Sequence, residues 1–240
     1  MELAGASPRA VFCRVGCVLL RPAWYSARSR AVTRENGAGN GVGNDGEDAP
    51  YGAVLGEIPA EILELSESCR QFALSAVGVE LDYDVETLPV LDEYLRMANA
   101  GLKDRPEAAP VVTRAVAAYF GEVVRRRMDG FWRHREDPND EWHLCARRAL
   151  LSMSPLGVVL DVMAKSTEHD GPTGELRLAP DDQRLADERL ARLPPVSEEE
   201  YDLLSTRQEV IETVYETLRD RLKAEGRESL VFEESDYDDE

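Results

Sequence analysis

The sequence predicts an α+β fold, a small antiparallel sheet packed against several helices with a long C-terminal helix, and three observations carry that expectation. Several stretches repeat apolar residues at spacings of three and four, the signature of amphipathic helices. Short runs rich in Phe, Trp, Leu and Cys lie between polar turns in the middle of the chain. A stripe of apolar residues then continues from Tyr201 to Leu222 behind a strong helix-start signal.

The first helix is predicted from Ile58, with Ile62, Leu65, Cys69, Phe72, Ala73 and Ala76 on one face, Pro59 in its first turn and Gly78 as its stop. Val79-Glu80-Leu81-Asp82-Tyr83 alternates apolar and acidic residues, which suggests a short strand. Asp84 or Glu86 then accepts from the free amides of a helix over about 85–98, which buries Leu88, Leu91, Leu95 and Ala98 and ends at Asn99-Ala100-Gly101. The central helix spans roughly 110–128, with Val112, Val116, Tyr119, Phe120, Val123 and Val124 forming a broad buried face. Asp129-Gly130 stop it.

Three antiparallel strands follow at 131–133, 142–146 and 149–153, the first two joined by the turn 136–140. Ser154-Pro155 supplies a cap and a first-turn proline for a helix over 156–165. Glu175 to Leu178 suggests a strand, and Asp181 caps a short helix closed by Pro194-Pro195. Ser197-Glu198-Glu199-Glu200 matches a capping box opening a last helix that runs to about Ala224, with Gly226 beyond it. Ser229 to Phe232 is assigned as an edge strand.

Charge and composition set the domain plan. Arg9, Arg14, Arg21, Arg28, Arg30 and Arg34 against Glu2 give residues 1–34 a net charge of +5, and the whole chain carries -19. Residues 1–50 are read as a disordered basic leader and Gly/Asn-rich linker, 51–232 as a single α+β domain, and 233–240 as an acidic disordered tail. The acidity opposes nucleic-acid binding, which rests on neutralising phosphates with Lys and Arg, and favours a basic protein partner. No apolar run approaches the roughly 18 residues of a membrane helix, so a cytoplasmic location is expected. Cys13, Cys17, Cys69 and Cys145 lack the paired spacing of a zinc site or disulfide framework.

The strand around Leu81-Asp82-Tyr83, the following Glu86-Thr87-Leu88 with Leu91-Asp92, the helix around Tyr119-Phe120-Gly121-Glu122-Val123-Val124 and a later Trp such as Trp132 resemble a family of uncharacterised bacterial proteins. The resemblance covers about 58–166 and the approach to the last helix at 193–199. It implies a compact α/β unit and assigns no activity.

Within these elements no catalytic, cofactor or metal set assembles. His134, His143 and His169 lack zinc spacing, Ser152 and Ser154 lack nucleophile-elbow glycines, and no glycine loop lies between a strand and a helix. Glu122 stands three and four residues before Arg125 and Arg126, so both guanidiniums reach it along one helix face. An exposed helix ion pair is one reading, and a carboxylate held ionised for a ligand or as a general base is the other. Gly121 beside it signals close approach of a neighbouring segment or of a ligand. Arg125, Arg126, Arg127, Arg133, His134 and Arg135 form a basic island that either binds an anion or is neutralised by the chain's own acids. Trp132 and Trp142 bracket it.

The leading functional expectation is a non-enzymatic protein-interaction domain that binds a basic protein partner. The alternative is a small-molecule or anion-binding domain, with or without catalysis, centred on Glu122, Arg125, Arg126, Trp132 and His143. Self-association through the last helix, by way of Val214 and Leu218, is a third.

Overall fold

In a computed structural model of the chain, residues 57–134, 142–165 and 169–238 are described. The predicted leader and linker lie outside them, as does Arg135. The elements run α1 (Ala60–Val77), α2 (Leu88–Gly101), α3 (Ala109–Met128), β1 (Gly130–His134), β2 (Trp142–Ala146), β3 (Leu151–Met153), α4 (Pro155–Ala164), β4 (Arg177–Leu178), α5 (Pro180–Leu190), α6 (Glu198–Tyr201) and α7 (Leu204–Ala224). Short 3-10 turns precede α2 and α3, and another closes the chain at Glu234–Tyr237.

The four strands form an antiparallel meander in the order β1-β2-β3-β4. This is the α+β architecture the sequence indicates, long C-terminal helix included. The helix α3 is its axis. It touches α1, α2, α4, α7, β1 and β2, and from Ala115 through Arg125 it is buried without a break. A helix enclosed all round has no solvent face to give its polar residues, so Glu122 and Arg125 are interior groups.

Side chains account for the local stops and starts. Gly78 takes the left-handed conformation at φ 78° after α1. Asp129 does the same at φ 49° after α3, which turns the chain directly into β1. Ser154 accepts from the Gly157 amide at 3.0 Å to cap α4, and the Ser197/Glu200 capping box is present with both of its bonds.

Four segments differ from expectation. Val79 to Tyr83 is an irregular loop and not a strand, because Tyr83 adopts φ 67° and its amide donates to the Tyr119 hydroxyl at 2.8 Å while the Leu81 carbonyl accepts from Arg70 Nε at 2.7 Å. Side chains therefore satisfy the backbone groups that a ladder would have used. Ser229 to Phe232 is likewise no strand; the Phe232 amide donates to the Arg147 carbonyl at 2.8 Å and its ring packs against the cluster of Phe131, Cys145 and Tyr237, with no ladder to the sheet among the described residues. Residues 233–238 are not a solvated tail, since Tyr237 is fully buried against Phe131 and Cys145.

The fourth is the last helix, which is split at Asp202-Leu203 into α6 and α7. The cause lies in α2: Asp92 accepts from the Leu204 amide at 2.6 Å, from the Ser205 amide at 3.3 Å and from the Ser205 hydroxyl at 2.6 Å. It caps α7 from across the fold, where Leu203 offers no side-chain cap of its own. The apolar stripe of α7 is spent inside the molecule: Val214 and Leu218 are core residues, so a charge at either would break the core before it reported on a dimer.

Asp92→Ala is expected to lose about 1–2 kcal/mol in urea denaturation. The pH dependence follows from the same buried acids. Burial pushes the carboxyls of Asp92 and Asp182 above their ordinary value of 3.8, against the lowering effect of Ser205 on the first and Arg221 on the second. An acid whose folded pKa is raised binds its proton more tightly when folded, so its contribution is full below 3.8 and is lost as pH rises through the folded value. Glu67, Glu93 and Glu200, lowered by hydrogen bonds from Gln71, Arg96 and Ser197, oppose this only further down, as pH falls below 4.5. As pH falls toward 3.8 the two buried aspartates are therefore expected to favour the fold, while the three glutamates withdraw their contribution below 4.5; in melting temperatures measured across this range, Asp92→Asn should remove the part owed to Asp92.

Candidate functional site

Four of the five residues singled out by sequence, Glu122, Arg125, Arg126 and Trp132, meet at the end of α3. Arg125 donates from Nε to Glu122 Oε1 at 2.7 Å and from Nη2 to Oε2 at 3.0 Å, a forked pair with both side chains 1% exposed. Trp132 adds a bond from Nε1 to the same Oε1 at 2.6 Å. Arg126 Nε stands 4.0 Å from Oε2 with its side chain 41% exposed, and its guanidinium lies 4.2 Å from the centre of the Tyr83 ring.

Two local features build this arrangement. The helical spacing of three places Arg125 one turn along from Glu122. The left-handed Asp129 then reverses the chain so that β1 returns beside its own helix, and strand alternation turns Trp132 and its partner Leu144 toward α3. The six-membered ring of the indole packs closely on Gly121: a Cβ there would stand 2.6 Å from Trp132 Cζ2, closer still to Cη2, and 3.1 Å from Pro155 Cγ. The mid-helix glycine is thus explained by the close approach of strand to helix.

The chemistry open to Glu122 is correspondingly narrow. One oxygen accepts two hydrogen bonds and the other accepts one beside a second guanidinium. It is neither the exposed ion pair nor the ligand-facing carboxylate weighed from the sequence. What the geometry provides is a buried tie from helix to strand, with a charge held inside by its partners.

His143 does not join the group. It is paired in register with Arg133, so alternation puts it on the face of the sheet opposite Trp132, where it is 2% exposed. The basic island is dispersed by the fold. Arg127 pairs with Glu212 on α7, and Arg133 pairs with Asp238 at 2.5 Å and approaches Glu234 at 4.0 Å. Among the described residues the chain's own acids pair with Arg125, Arg127 and Arg133 of the island. Trp142 is half-buried and bonds Glu61 through Nε1 at 3.2 Å.

Sequence reasoning missed a second polar cluster one turn before Glu122. The Tyr119 hydroxyl receives the Tyr83 amide and lies 3.2 Å from the Thr87 hydroxyl, and the Tyr83 and Tyr119 rings stack at 4.8 Å. Asp82 accepts from the Asp84 amide at 3.0 Å and from Thr87 at 3.1 Å, and these bonds draw its carboxyl below the ordinary value. These contacts hold the left-handed Tyr83, a conformation a bulky residue adopts only under constraint. The signal available was the alternation Asp82-Tyr83-Asp84 before a 3-10 turn, which fits an Asx-type loop as well as a strand.

The two described cysteines, Cys69 and Cys145, are buried thiols, and burial drives the Cys69 thiol strongly upward, which suppresses its thiolate. Among the described residues no group of three or more His, Cys, Asp or Glu side chains could hold a metal, and no helix is long and apolar enough to cross a membrane. No protein-family model matches the chain, and comparison with curated proteins and with solved structures finds no match. The family resemblance drawn from the sequence therefore lends no role to these residues.

Proposed function

We propose that the protein is a non-enzymatic acidic interaction domain that binds a basic protein partner. The observation that supports it most is the distribution of charge. Residues 57–240 carry a net charge of -20, while the arginines nearest the candidate site are engaged internally. Glu64, Glu86, Glu188, Glu199, Glu209 and Glu216 are exposed and stand in no salt bridge among the described residues. Such a surface raises the encounter rate with a cationic partner and repels acidic ones. The alternative centred on Glu122 loses support from the same geometry, because both of its oxygens are engaged inside the fold.

The test is crosslinking of the full chain in its native lysate at low and moderate salt, with partners identified by mass spectrometry and the interaction rebuilt from purified components. A single basic protein at unit stoichiometry is expected, its affinity falling with salt and in the Glu209→Gln/Glu216→Gln variant. Recovery of the bait alone, or of a partner whose affinity ignores both salt and these substitutions, would contradict the proposal.

A further inference from the structure

We infer that the outer face of the sheet is a binding surface for an acidic segment anchored by a tyrosine, and that the chain's own residues 227–238 occupy it as a releasable latch. The face is formed by the residues that alternation turns away from α3: Phe131 and Arg133 on β1, with Cys145 and His143 opposite them on β2. Arg147, just after β2, lays its guanidinium 4.8 Å from the centre of the Phe131 ring. Two arginines flank one aromatic floor in a chain that is otherwise strongly acidic.

The latch matches this floor group by group. Tyr237 meets Phe131 edge-on at 5.9 Å, and its hydroxyl donates to the Ala146 carbonyl at 2.6 Å with the carbonyls of Ala149 and Leu151 at 3.1 and 3.4 Å. Three carbonyl oxygens converging on one position make an acceptor cup suited to an O–H donor. Arg133 holds the backbone on the far side, donating from Nη1 to the Tyr237 carbonyl at 2.5 Å and from Nη2 to Asp238 at 2.5 Å. Recognition thus rests on an aromatic hydroxyl followed by a carboxylate.

The same contacts make the latch separable from the rest of the fold. Phe131, Cys145 and Tyr237 form a cluster apart from the main core, joined by the partly buried Leu150 and Phe232. The chain leaves α7 through the left-handed Gly226 at φ 70°, where an added Cβ would meet nothing, and Glu228, Ser229 and Val231 are exposed on the way. The ion pairs that hold the end use carboxylates that are 63% and 70% exposed, which salt screens readily. Opening the latch exposes Cys145 and leaves Cys69, on α1 in the main core, protected.

These two thiols supply the test. In the full chain, labelling by a thiol reagent is followed peptide by peptide in mass spectrometry, at low and high salt, for wild type, Arg133→Gln and Tyr237→Ala. Cys145 is expected to react about tenfold or more faster than Cys69, faster again in salt and in both variants, with the Cys69 rate unchanged. A fluorescent peptide of residues 227–240 should bind the Tyr237→Ala chain and slow its Cys145 labelling, and the peptide with its own tyrosine replaced by Ala should not. Equal rates for the two thiols in wild type at every salt would overturn the latch, since both would then react through global unfolding. Failure of the peptide to bind a Tyr237→Ala chain whose Cys145 is reactive would overturn the binding surface. A dimer by light scattering that protects Cys145 only above its association concentration would replace the latch within one chain by exchange between two copies.

Discussion

Glu122→Gln is expected to lower stability by about 3 kcal/mol, measured by urea denaturation. The substitution leaves the Arg125 guanidinium at 1% exposure with no carboxylate against it, and Arg126, whose Nε lies 4.0 Å from Glu122 Oε2, adds a second cation to the imbalance. The cost lies at the low end for a broken buried pair because the amide oxygen still accepts from Trp132 Nε1. The joint replacement Glu122→Leu/Arg125→Met removes both charges together with the buried Nη1 of Arg125, which has no hydrogen-bond partner among the described residues. It should return to within about 1 kcal/mol of wild type, since a well-packed apolar pair often equals a buried ion pair. A double variant as unstable as the single one would show that packing volume, and not charge, governs this position.

The next largest effect is expected at Gly121. Alanine would gain about 1 kcal/mol of helix propensity in an open helix, yet here its methyl group would stand 2.6 Å from Trp132 Cζ2. The indole is rigid and cannot swing aside without dropping its bond to Glu122. The clash should outweigh the propensity gain, for a net loss of about 1–3 kcal/mol and a shift in Trp132 fluorescence. Gly101→Ala is the control. Nothing lies within 4 Å of a Cβ there, so it should be neutral or slightly stabilising.

How far this was legible in the sequence depends on how local each cause is. The Ser197 capping box, the cap at Ser154 and the stop at Gly78 are written within four residues of the structure they produce. The β1, β2 and β3 strands were readable because aromatic and apolar runs alternate between polar turns. The burial of Glu122 was half legible. Gly121, Glu122 and Arg125 announce a close approach and an ion pair, but that the approaching group is Trp132, ten residues on, depends on the left-handed turn at Asp129. The cap that Asp92 gives to α7 spans 112 residues and leaves no pattern near Leu204, so the last helix read as continuous. Tyr237 was hidden for a related reason: a lone aromatic among six acids reads as solvated tail until its receptor, built from β1 and the β2–β3 connection, has formed.

The Glu122–Arg125 pair lies inside the fold, and the proposed recognition belongs to the acidic surface. The most direct measurement is capture of the partner by the Glu122→Leu/Arg125→Met chain, compared at matched melting temperature with wild type and with Glu209→Gln/Glu216→Gln. Recovery of the same partner with the same salt dependence by the buried-pair variant, and weaker recovery by the surface variant, is the expected result. Loss of the partner from a stably folded buried-pair variant, with the surface variant unaffected, would place recognition at Glu122 and contradict the account.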